Sequence, residues 1–106
     1  MTDRELLELA AKAAGYDVKP HGNAKYSKDL HFIYESRNWN PLTDDGDALR
    51  LAVKLDMAVV SCMDDKEVGV TVLETALEIY EPHNDDPYAA TRRAIVRAAA
   101  EIGRTM

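Results

Sequence analysis

A chain of 106 residues has room for one hydrophobic core and not for a core plus a separate catalytic domain, so residues 1–106 are read as a single domain. With 46% hydrophobic and 30% charged residues the chain reads as globular. No apolar run reaches the roughly 18 residues of a membrane span, and Met1-Thr2-Asp3-Arg4-Glu5 lacks the basic-then-apolar order of a signal peptide. The expected setting is therefore the cytoplasm, with no membrane partner, and the single Cys62 suits a reducing compartment.

Thr2-Asp3-Arg4-Glu5 is a capping box ahead of Leu6, Leu9, Ala10 and Ala13 on one helix face, and Gly15 supplies a left-handed C-cap. From Tyr16 to Ser36 the signals weaken. Pro20, Gly22 and Asn23 mark a loop, and Leu30 to Tyr34 reads as a short strand. A second helix is expected from near Thr43 to about Leu55, with Ala48, Leu51, Ala52 and Leu55 at three- and four-residue spacing. Its acids come first and its bases Arg50 and Lys54 later, as the helix dipole favours.

Met57 to Met63 is a short apolar run read as a buried strand, after which Asp64-Asp65-Lys66 turns the chain. Val68, Val70 and Val72 alternate with Gly69, Thr71 and Leu73 in a half-buried strand. Leu77 and Ile79 alternate with Glu78 and Tyr80 in a third, closed by Pro82, although residues 73–79 also fit two turns of helix. The last helix begins at Pro87 with Asp86 as its cap, buries Tyr88, Ile95, Ala98, Ala99 and Ile102, and stops at Gly103. The α-β-α-β-β-β-α order makes an α+β domain: an antiparallel sheet of three to four strands covered by about three helices.

The two Asn/Asp/Pro/Thr helix openings, Trp39-Asn40-Pro41 with Asp47-Ala48-Leu49, and Pro87 through Glu101, carry a family likeness. Here the chain resembles the small bacteriophage and prophage proteins grouped as the phage ABA sandwich domain, and more distantly the NinX-type phage proteins. The resemblance implies a phage accessory protein made in the host cytoplasm. It carries no activity, cofactor or catalytic residue to this chain.

A search for chemistry finds no complete set. An EF-hand with Gly46 at its sixth position would need an acid where Pro41 stands and a Glu where Ala52 stands. His21, His31 and His83 lack metal-ligand spacing and are read as structural or exposed, and Cys62 in its apolar run as a packed thiol. No catalytic residues, metal or cofactor are expected.

Two surfaces remain as binding candidates. One is the Trp39, Asn40 and Asp44 corner near Tyr34, where a ring and a helix N-terminus would meet a ligand; the alternative is that Trp39 packs as a hydrophobic staple. The other is the row Arg93, Arg97 and Arg104, with Arg92 beside it and Tyr88 available for stacking. Residues 40–86 carry a charge of −9 and residues 87–106 a charge of +3, within a total of −6, which argues against nucleic acid and offers internal or intersubunit pairing for the arginines. The leading expectation is a non-enzymatic module that binds a host or phage protein, with homodimerisation possible. The alternatives are a small-molecule, nucleotide-like binder and, last, an enzyme whose site forms between subunits.

Overall fold

The computed structural model describes residues 1–20 and 32–106. Helix α1 (Asp3–Ala14) starts where the capping box places it: the Thr2 hydroxyl oxygen accepts the Glu5 N–H at 3.1 Å, and the hydroxyl donates to the Glu5 carboxylate at 3.1 Å. Gly15 ends it at φ 75°, a left-handed position that a side chain would strain. The buried face is Leu6, Leu7, Ala10, Ala11 and Ala14. Leu9 and Ala13, expected inside, are half-buried, because the face is centred on Leu7 and Ala11.

A small antiparallel sheet follows, ordered β1 (Lys19–Pro20), β2 (Phe32–Tyr34) and β3 (Arg37–Trp39). The short strand expected over residues 30–34 is present from Phe32 onward; Leu30, His31 and His21 lie outside the described residues. Strand β3 was not expected. Glu35 and Ser36 turn the chain with φ of 50° and 64°, the mirror-type hairpin turn that usually announces itself as Asn-Gly. Trp39 therefore leaves this strand paired with Phe32.

Helix α2 (Asp45–Lys54) begins slightly after Thr43, because Asp44 is the cap and accepts the Asp47 N–H at 2.8 Å. Beyond it, β4 (Met57–Cys62), β5 (Glu67–Val72) and β6 (Leu77–Pro82) form an antiparallel meander in that spatial order. The strand reading of the segment after Leu73 holds. Residues 73–76 are the turn that precedes it, with Ala76 at φ 59°.

Register gives the meander two distinct faces. Val59, Val70 and Ile79 lie side by side on the inner face, and Val60, Gly69 and Tyr80 on the outer one. Val68, Val70 and Val72 are buried, whereas β4 is an edge strand with Val60 65% exposed. The expectation that residues 57–63 form a buried strand is thus corrected: an apolar run marks an edge as readily as a centre when no neighbour covers it.

Helix α3 (Pro87–Arg104) packs against the inner face of the meander on one side and α1 on the other, with α2 against it near β4. This position explains its composition. Ala90, Ala94, Val96, Ala98, Ala99 and Ala100 are buried around most of its circumference, and small side chains let both neighbours approach. Two expectations about α3 need correction. Tyr88 is 72% exposed, because it projects beside β4 where no element among the described residues covers it. The helix also runs through Gly103, where an added Cβ would sit 2.0 Å from the Leu9 carbonyl oxygen. The glycine is there for close contact with α1, and the stop comes at Thr105.

Candidate functional site

The Trp39 corner is built around a buried carboxylate. Asp47, 3% exposed, accepts the Asn40 N–H at 3.0 Å, Arg50 at 2.9 Å and Arg37 at 3.4 Å. It thereby ties β3, the turn into α2 and the first turn of α2 to one group. The Asn40 side-chain oxygen accepts the Leu42 N–H at 3.0 Å, and its backbone carbonyl accepts from Thr43 and Asp44. Asp44 is occupied in capping, and Trp39 is 1% exposed, edge-on to Tyr16, which stacks on Tyr34. The ring belongs to the core and is out of reach of a stacking ligand.

The arginines of α3 are occupied in a different way, each turned to an acid of its own chain. Arg92, the most buried of them, donates through Nε to the Leu42 carbonyl at 2.8 Å and through Nη1 to Asp45 at 2.7 Å. Arg93 meets Asp3 of α1 at 3.2 Å. Arg97 meets Glu81 and the Tyr80 carbonyl of β6, and Arg104 meets Glu101. Arg93 also lines a cleft of about 410 Å³ whose wall includes Asp3, Glu81, Asp85 and Asp86. That many carboxylates around one guanidinium repel a phosphate, and Arg93 and Arg97 reach toward different elements instead of converging. The four arginines are thus paired within the chain, Arg92 and Arg97 to acids of the middle segment and Arg93 and Arg104 to Asp3 and Glu101. The Arg104 hydrogen bond also holds the Glu101 carboxyl below its usual range, and bonding to Glu78 raises the Tyr80 hydroxyl.

A concavity of another character lies where α2, α3 and the inner face of β4 meet. Its volume is about 530 Å³, and its walls are Ala48, Leu49 and Ala52 of α2, Val59, Ser61 and Met63 on and after β4, and Pro87, Tyr88, Thr91 and Ile95 of α3. Leu49 is 64% exposed and Met63 68%, so together with Tyr88 they form an apolar patch rimmed by the Asp45–Arg92 pair. Of the residues singled out from sequence, Tyr88 and Arg92 line this groove, while Trp39, Asn40, Asp44, Arg93 and Arg97 do not.

A contact that sequence reading missed links Ser61 on the groove wall to His83, which lines the cleft of about 410 Å³. Ser61 Oγ lies 2.9 Å from Nε2 of His83, which is 4% exposed. The separation of 22 residues gives no local signal; only the meander register, which sets Ser61 across from Val68 and Val68 across from Glu81, brings them close. Nucleophile activation needs an imidazole that is itself oriented, and Ser61 is the one side-chain hydrogen-bond partner of His83 among the described residues. The pair thus reads as a tie between the end of β4 and the loop after β6. Cys62 is corrected from a packed thiol to a half-buried one on the outer face beside Val60, Glu67 and Tyr80. Among the described residues no cluster of three metal-ligating side chains forms, and no helix is long and apolar enough to cross a membrane.

Compared with protein-family models, with curated proteins and with solved structures, the chain gives no match.

Proposed function

We propose that this chain is a non-enzymatic protein-binding module, of the phage accessory kind that its helix openings resemble, and that it binds through the groove between α2, α3 and β4. The observation that carries the reading is the coincidence of that apolar groove with an open sheet edge. A protein partner can satisfy both at once, placing apolar side chains in the groove and backbone on the edge. A nucleotide-like ligand is less well served, since the groove is apolar and Arg92 is already bonded to Asp45 and Leu42.

Leu49→Glu tests the reading, because it places a charge on an exposed side chain of the groove wall while leaving the core untouched. Native mass spectrometry of gently purified protein should find the wild type in a non-covalent complex with protein and the variant bare, with the same thermal unfolding for the two once the wild type is separated from its partner. A wild type that is bare, that carries a small molecule instead, or whose complex survives Leu49→Glu would contradict it.

A further inference from the structure

The backbone of β4 identifies the partner more closely. The Leu73 N–H donates to the Asp56 carbonyl, so Asp56 and Leu73 are a hydrogen-bonded pair of the ladder. Along an antiparallel pair such positions alternate. Ala58, Val60 and Cys62 therefore bond to β5, while Met57, Val59 and Ser61 direct their N–H and C=O groups away from the sheet. The bond from His83 N–H to the Lys66 carbonyl gives the same phase for β5 with β6. The outward-directed residues are also the ones whose side chains share the inner face with the groove.

We propose that the occupant of this face is a second copy of the chain, joined by antiparallel β4–β4 pairing with Val59 opposite Val59 of the partner. The proposal rests on the protein-binding reading of this face. A two-fold axis perpendicular to the sheet must pair residues of the same face, which puts outward-directed groups opposite outward-directed groups. With Val59 on the axis, Met57 meets Ser61, and every outward N–H finds a carbonyl.

Neighbouring charges disfavour one of the two adjacent same-face registers. With Val59 on the axis Asp56 lies opposite Cys62, whereas a shift that sets Val60 opposite Val60 would bring Asp56 against Asp64. Native edge strands are commonly blunted by a charge, a proline or a bulge. Met57-Ala58-Val59-Val60-Ser61-Cys62 has no charge and no proline, and it pairs with β5 without interruption. The axis also keeps the helices of both copies on one side of a six-stranded sheet, so that the exposed Leu49, Met63 and Tyr88 of each groove are brought to the seam. Both copies carry a charge of −6, so added salt tightens the dimer.

Sedimentation velocity and disulfide trapping test this together. The wild type should sediment as a dimer, and Val59→Lys, a change at a 37% exposed side chain, as a folded monomer with unaltered circular dichroism and a melting temperature that, unlike that of the wild type, does not rise with protein concentration. In a Cys62→Ser background, Ala58→Cys with Val60→Cys places thiols in the closely spaced non-hydrogen-bonded pairs of this register and should give a covalent dimer on mild oxidation. Val60→Cys alone should not. A wild type that is monomeric throughout, a dimer indifferent to Val59→Lys, or cross-linking by Val60→Cys alone would overturn the proposal. If the native complex instead holds a different protein and is lost in Leu49→Glu, the second copy is wrong and the protein-binding reading stands.

Discussion

Replacing Trp39 with alanine should destabilise the fold by about 3–5 kcal/mol, the cost typical of emptying a large aromatic site in a core. The ring is 1% exposed, sits on a strand paired through Phe32, and meets Tyr16 edge-on at 6.1 Å between centroids. Its loss removes one of the contacts that hold the small sheet to the rest of the core, beside those of Phe32 and Tyr34. For a domain of this size that corresponds to a melting temperature lower by roughly 15–20 °C. Circular dichroism is the suitable probe, since Trp39 is the one tryptophan and cannot report its own removal. An unchanged melting temperature would place the ring outside the core.

Gly103→Ala carries the second large effect, and its sign is diagnostic. In an exposed helix interior alanine is favoured over glycine by about 1 kcal/mol. Here the new Cβ would stand 2.0 Å from the Leu9 carbonyl oxygen and 2.8 Å from its carbon, both backbone atoms of α1. Neither can swing aside as a side chain would, so α1 must move away from α3. Overpacking of this kind costs roughly 1–3 kcal/mol or more, and a net destabilisation of about 2 kcal/mol is expected in chemical denaturation. A variant more stable than wild type would show that the two helices are not in contact at Gly103.

Residues whose signals are local were the ones that sequence reading placed well. Thr2 and Asp86 cap helices through bonds to N–H groups two or three residues on, and Val68, Val70 and Val72 turn inward by simple alternation. What escaped depends on distance or on chemistry that breaks a local preference. The β2–β3 hairpin was hidden because its turn is Glu35-Ser36, two residues with little taste for positive φ. Gly103 resembled a helix stop because a glycine required by a neighbouring backbone looks the same as a glycine required by a C-cap.

For the candidate site the limit was of the same kind. Asp47 was read as one more acid favouring a helix N-terminus, yet its partners Arg37 and Asn40 come from β3 and the turn beyond it. The arginines of α3 looked like an anion clamp because spacing along a helix says which side chains share a face and not which acids lie within reach. Asp3, Asp45 and Glu81, each distant in sequence, answer that question. Most such exposed pairs are worth less than about 1 kcal/mol apiece. Their consequence is to neutralise the row, and the proposed requirement for a partner falls on the apolar groove beside β4.

Amide hydrogen exchange tests that requirement most directly. The amides of Ala58, Val60 and Cys62 bond to β5 and should be slow at every protein concentration, while those of Met57, Val59 and Ser61 reach out from the open edge. If β4 is an interface, these three amides should become protected as protein concentration rises, and Val59→Lys should abolish that protection while leaving β5 unchanged. Rapid exchange of all three under conditions where the protein is in complex would contradict a role for this edge in binding.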